Sequence, residues 1–69
     1  MASPHVIANG RSMDATLPCT LAEFLRARQF PPRSVVVEHN GEAVAPSEFE
    51  SRPLADGDRL EIVRIVAGG

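Results

Sequence analysis

Between Thr20 and Pro31 this chain has room for one short helix, and the segments on either side of it are patterned for strands. Thr20 precedes Leu21-Ala22-Glu23 in the arrangement of a capping box. The threonine oxygen accepts from the amide three residues on, and the Glu23 carboxylate returns to the Thr20 amide. Leu21, Phe24 and Leu25 then fall at i, i+3 and i+4, on one face. Pro31-Pro32 forbids continuation, because proline lacks the amide hydrogen and its ring clashes with the preceding turn. A helix is expected over residues 21–29. With one apolar stripe and no second helix to meet it, that stripe must be buried by a sheet.

The strands follow from alternation and from turn chemistry. Val6 and Ile7 sit in a strand over residues 4–8, and Asn9-Gly10 tolerates the positive φ of a tight hairpin. The return strand is expected over residues 11–17, where Met13, Ala15 and Leu17 alternate with Ser12, Asp14 and Thr16. After the helix, Val35-Val36-Val37 is a β-branched run suited to an inner strand over 34–38, and Asn40-Gly41 turns the chain again. A short strand around Val44 ends at Pro46-Ser47, and Phe49 and Leu54 anchor the irregular stretch that follows. Asp56-Gly57-Asp58 makes the last turn into Leu60-Glu61-Ile62-Val63-Arg64-Ile65-Val66, the strongest strand.

The order is therefore β-β-α-β-β-β. A helix between two hairpins, with a last strand that must pair, predicts an α+β fold: a mixed sheet of four to five strands wrapped over one short helix, the β-grasp plan. Leu60 and Ile62 would face the helix with Val6, Leu17, Leu21, Leu25, Val35 and Val37. Val63 and Ile65 would then lie on the opposite face, either as a docking patch or partly covered by neighbours.

Composition narrows the function. Sixty-nine residues make one domain, 1–69. Ordering them costs roughly 100 kcal/mol at ~1.5 kcal/mol per residue, so the apolar side chains are committed to one core and leave no elaborate active-site cavity. No apolar run approaches the ~18 residues of a membrane span, and the first residues lack the pattern of a signal peptide, so a cytoplasmic protein without membrane contact is expected. One cysteine, Cys19, excludes an internal disulfide and a multi-cysteine metal site. A net charge of −2 argues against a nucleic-acid partner.

Individual reactive side chains read as structural. All seven basic residues are Arg, by composition bias or to keep amines away from a reactive group. Cys19 reads as a packing residue and not a sulfur relay, since no His or second Cys lies near it in sequence. His5 and His39 lack ligand spacing, so no metal is expected. Asp56 and Asp58 read as turn residues. Arg11, Arg26, Arg28, Arg33, Arg52, Arg59 and Arg64 are scattered, as on a solvated surface.

The informative segment is Ala67-Gly68-Gly69, directly after the best strand. Residues 67–69 are expected to form a short, narrow, flexible tail, able to carry a terminal carboxylate through a slot in another protein. A carboxylate is an inert acyl donor. Attack on the α-phosphate of ATP turns it into an acyl adenylate, on which a sulfur nucleophile can form a thiocarboxylate.

Taken together, Asn9-Gly10, the short helix, the Val-rich strand, Asn40-Gly41-Glu42, Pro46, Leu54, Asp56-Gly57-Asp58, the hydrophobic last strand and Gly68-Gly69 resemble the ThiS family, the sulfur carriers of thiamine biosynthesis. The likeness runs over nearly the whole chain. It implies a ubiquitin-like β-grasp and a protein cosubstrate, not an enzyme. It further implies that Gly69 is adenylated by an E1-like (ThiF-type) adenylyltransferase using ATP, with no cofactor bound by the carrier. A cysteine desulfurase or sulfurtransferase would supply the sulfur, and a ThiG-type thiazole synthase would accept it. In that scheme Gly68 and Ala67 give the tail its access, and Val63 and Ile65 dock against the partner. The alternatives are the small subunit of molybdopterin synthase, a ubiquitin-like modifier that joins Gly69 to a lysine, and a noncovalent β-grasp binding module.

Overall fold

The computed structural model describes residues 3–65. Both Asn-Gly pairs reverse the chain with positive φ at each position: 51° and 80° at Asn9 and Gly10, 51° and 84° at Asn40 and Gly41. Such turns match the twist of the strands they join. β1 (His5–Ala8) therefore pairs antiparallel with β2 (Arg11–Asp14), Val6 opposite Met13. β4 (Val35–His39) pairs in the same way with β5 (Glu42–Val44), Val37 opposite Val44. The last strand, β7 (Arg59–Arg64), enters between the hairpins, parallel to β1 and antiparallel to β4. The five-stranded mixed sheet has the order β2-β1-β7-β4-β5.

Asn9 does more than turn. Its side-chain amide donates to the Ile62 carbonyl at 3.0 Å and accepts from the Ile62 amide at 2.7 Å. A side chain here acts as one further peptide unit of β1, extending the parallel ladder where the hairpin has already turned away. Asn40 Oδ1 accepts from the Arg59 amide at 2.9 Å on the other flank, so β7 is gripped from both sides where it starts.

The helix α1 (Leu21–Ala27) packs across one face of this sheet, burying Leu21, Ala22, Phe24 and Leu25. Its capping box is formed as expected: the Glu23 amide donates to Thr20 Oγ1 at 3.1 Å, and the Thr20 amide to Glu23 Oε1 at 2.7 Å. The bond from the Thr20 amide, and then the Thr20 side chain, hold the Glu23 carboxyl below its ordinary value. The amides of Leu21 and Ala22 donate to the carbonyls of Arg52 and Phe49, so the first turn leaves no orphan donor there. Two short strands, β3 (Cys19–Thr20) and β6 (Pro53–Leu54), pair beside the helix start. Thirteen apolar residues form the core, from Val6 to Ile62, and Phe49 and Leu54 are among them. This is a ubiquitin-like β-grasp.

Three details depart from the sequence expectations. The helix ends at Ala27, not at residue 29, because Gln29 takes φ 62° and closes a Schellman motif: Phe30 donates to the Leu25 carbonyl and Gln29 to that of Arg26. The second strand stops at Asp14, not at residue 17. The Ala15 amide still donates to the Pro4 carbonyl, but Pro4 has no N–H to return. Leu17 accordingly sits half-buried at the rim of the core. The last strand starts at Arg59, one residue before the expected start, and ends at Arg64, leaving Ile65 outside it; Val66 lies outside the described residues.

Candidate functional site

β7 lies in the middle of the sheet, held by β1 on one side and β4 on the other, and leads toward Gly69. Ala67, Gly68 and Gly69 lie outside the described residues. Gly69 is four residues on from Ile65, a span of at most ~14 Å at ~3.5 Å per residue. Any partner that handles Gly69 must therefore reach this end of the sheet.

Alternation along β7 turns Leu60 and Ile62 into the core and leaves Val63 61% exposed; Ile65, just beyond the strand, is 56% exposed. Both are where the sequence pattern puts them. Val36 is 52% exposed and lies directly opposite Val63 across the β4–β7 ladder. The valine run is an inner strand, as expected, with Val35 and Val37 buried; Val36 completes an outward patch with Val63 and Ile65.

At the opposite end of β7 a buried polar cluster fixes its start. His39 is 7% exposed. Arg52 Nε donates to His39 Nδ1 at 2.9 Å, so Nδ1 presents its lone pair and Nε2 carries the proton, 2.7 Å from Asp58 Oδ2. Asp58 also accepts from the Ala55 amide at 2.8 Å and from Asn40 Nδ2 at 3.2 Å. Arg52 reaches on to Glu42 at 2.7 Å, and its carbonyl takes the first helix amide. Asp58 is thus a turn residue, as expected, and the anchor of a network that joins β4, β5, the helix start and the turn into β7. Sequence spacing gave His39 no partner; its inward position, two residues beyond Val37, was the available signal.

Burial alone would raise the Asp58 carboxyl, but hydrogen bonds from Ala55, His39 and Asn40 outweigh it and hold the group below its ordinary value. Its contribution to stability is then complete above the ordinary carboxylate range and is lost as pH falls through the lower folded value. Asp58→Ala strips three donors of their acceptor and is expected to cost about 2 kcal/mol near neutral pH. Urea titrations repeated below about pH 4 should show the difference between the two proteins shrinking. A constant difference would mean that the carboxylate charge contributes nothing.

Cys19, in β3, lies in the wall of an open cleft that Thr16, Pro18, Phe24 and Arg28 also line. Burial, and then the nearby Glu23 charge, push its thiol up, so it stays protonated, in keeping with a packing role.

The ThiS family model matches residues 6–69, which takes in all of the sheet but His5, and the Gly-Gly segment. Over 64 residues the chain is 33% identical to a thiazole synthase of Paramagnetospirillum magneticum; the match takes in 93% of this chain and 20% of that protein's length. It is 34% identical over 61 residues to the uncharacterized protein ycf40 of Pyropia yezoensis, covering 88% of this chain and 86% of that one. The fold is similar to the crystal structure of the thiamine biosynthesis protein ThiS from Geobacter metallireducens, with a TM-score of 0.78 and 28% identity over 94% of this chain and 99% of that one. An NMR solution structure of a thiamine biosynthesis protein from the same organism gives a TM-score of 0.76 at 28% identity, over 94% and 87% of the two chains. On its sequence and its fold, the chain belongs to the ThiS family.

Proposed function

We propose that this protein is a sulfur carrier of thiamine biosynthesis, a cosubstrate and not an enzyme, and that Gly69 is the group it carries the sulfur on. The observation behind this is the position of Gly68-Gly69: within the family match, four residues beyond an apolar patch on the central strand. The carboxylate oxygen of Gly69 attacks the α-phosphate of ATP, pyrophosphate leaves, and an acyl adenylate results. A persulfide sulfur on the donor attacks the acyl carbon and AMP leaves; a thiol then cleaves the resulting acyl disulfide, which releases the thiocarboxylate and leaves the two donor sulfurs joined as a disulfide. The likeness to part of a thiazole synthase supports a synthase of that kind as the acceptor of the sulfur.

In this scheme the chemistry is performed by partners: a ThiF-type adenylating enzyme that binds the ATP, a desulfurase or sulfurtransferase, and the synthase. The carrier binds no cofactor itself. Its contribution is geometric: β7 presents the tail from a fixed body, and a short, slender segment consisting of Ala67 and Gly68 passes into the partner's site. Among the described residues no helix is long and apolar enough to cross a membrane, and the proposal has the carrier work in the cytoplasm.

The test is intact-mass analysis of the protein purified from thiamine-starved cells of its own host. A species with one oxygen exchanged for sulfur, mapped to Gly69, is expected. A carboxylate alone, both in those cells and after incubation with ATP, the adenylating enzyme and a sulfur donor, would sink the proposal.

Docking gives a second expectation. Val63→Asp puts a charge on the outward patch without touching the buried face, so the denaturation midpoint should hold while the KM of the adenylating enzyme for the carrier rises about tenfold, the effect of losing ~1.4 kcal/mol of binding. An unchanged KM would remove Val63 from the interface.

A further inference from the structure

The outward side of the two central strands carries a second feature beside the apolar patch. One row along from the Val36–Val63 pair, Glu38 stands directly opposite Glu61. Like charges facing each other across an antiparallel ladder destabilise it. Among the described residues ion pairs join Arg26 to Glu50 and Arg52 to Glu42, and histidine–carboxylate contacts join His5 to Asp56 and His39 to Asp58; none reaches Glu38 or Glu61, and the nearest basic residue on the same side of β7 is Arg59, two residues from Glu61. The neighbour of Glu38 on β5 is Ala43, which offers no charge.

We propose that Glu38 and Glu61 are the charged half of the docking surface whose apolar half is Val36, Val63 and Ile65, and that the enzyme activating Gly69 meets them with arginine or lysine side chains. This rests on the reading that Gly69 is activated by such an enzyme. Outward rows of a strand recur every ~7 Å, so a partner that covers Val36 and Val63 necessarily overlies the carboxylates as well. Two acidic groups covered without a counter-charge would weaken the complex, so the partner must bring cations. Every partner that acts on Gly69 must come within ~14 Å of Ile65, at the edge of this surface; the activating enzyme is the one that takes the unmodified carrier, and so it is the occupant. A second copy paired about a two-fold axis near the Glu pair would set four carboxylates against one another.

The pair thus acts as a specificity device. It costs the isolated carrier some sheet stability and supplies attraction, and faster encounter, toward a basic surface. Glu38→Gln, Glu61→Gln and the double variant test it in the full chain, with the cognate ThiF-type enzyme. Pyrophosphate exchange gives KM and kcat over a series of salt concentrations, and urea titration gives stability. The double variant is expected to match or exceed the parent in denaturation midpoint. Its KM should rise about tenfold with kcat preserved, and the salt dependence of its KM should flatten.

An unaltered KM and salt slope in the double variant, with the parent chain fully activated, overturns the docking role alone. Failure of the parent chain to be activated overturns this inference together with the carrier reading. A parent dimer in solution that the Gln substitutions strengthen and Val63→Asp dissolves places a second copy on the face instead, and likewise overturns the inference.

Discussion

Leu25→Ala is expected to remove about 3 kcal/mol of folding stability, within the 2–5 kcal/mol range for truncating a buried leucine. Leu25 is 0% exposed and sits on the buried face of α1, the one helix among the described residues. Two terms add: the apolar surface no longer removed from water, and the cavity beneath the helix. That cavity cannot close easily, because α1 is fixed at its start by Thr20 and by the Arg52 and Phe49 carbonyls, and at its end by the Schellman bonds. Small domains hold only ~5–15 kcal/mol in total, so the loss would lower the melting temperature by roughly 12–24 °C. Removing Gly68 and Gly69 is expected to leave the midpoint where it was, since the buried apolar residues among those described lie between Val6 and Ile62 and a glycine brings no side chain to a core. Equal losses in the two proteins would mean that the terminal glycines pack against the body, against the access that the carrier reading requires.

The elements legible in the sequence are those fixed by local chemistry. Asn9-Gly10 and Asn40-Gly41 announce their turns because few residue pairs accept positive φ at both positions, and Thr20 with Glu23 announces the helix start because both bonds lie within one turn. The ends of elements were less legible, since tertiary partners set them. The stop of the second strand is written not in that strand but in Pro4, which faces it. The helix end falls at a glutamine in the left-handed region, where the residue usually read as the signal is glycine. β3 and β6, of two residues each, are too short to carry any periodicity.

The site divides along the same line. Val63 and Ile65 were legible as outward residues from parity along one strand. Val36 was outward by the same parity, with Val35 and Val37 facing in, but its place beside Val63 comes only from the β4–β7 register. The His39 cluster was hidden for a related reason. Its members, Glu42, Arg52 and Asp58, come from three separate segments, and each looks like an ordinary surface or turn residue in sequence. The cluster matters to the site mechanically, because it fixes the start of the strand whose far end leads to Gly69.

Adding one residue after Gly69, or replacing Gly68 with Val, is expected to abolish adenylation while leaving folding intact. The extended chain still ends in a carboxylate, but one displaced by ~3.5 Å, and near-attack geometry tolerates errors of only about 1 Å. The displacement cannot be absorbed by the body of the carrier. β7 is paired on both sides, with Ile7 and Ala8 against Arg59 and Leu60, and with residues 35–39 along its other edge, so reach is set by the docked sheet. Valine at position 68 acts differently. It puts a branched side chain where the proposed slot admits only a Cβ-free residue, and it narrows the backbone conformations open to that position. Neither change touches a residue of the core. ATP–pyrophosphate exchange with the cognate adenylating enzyme gives the result, and circular dichroism confirms the fold. Both variants should show no exchange above background while the parent protein turns over. The two changes also separate the rival readings of the tail. A noncovalent binding module would keep its partner affinity through both, whereas a carrier that docks through the Val63 face would still bind but not react. Normal exchange by the extended protein would mean that Gly69 is not the activated acyl group.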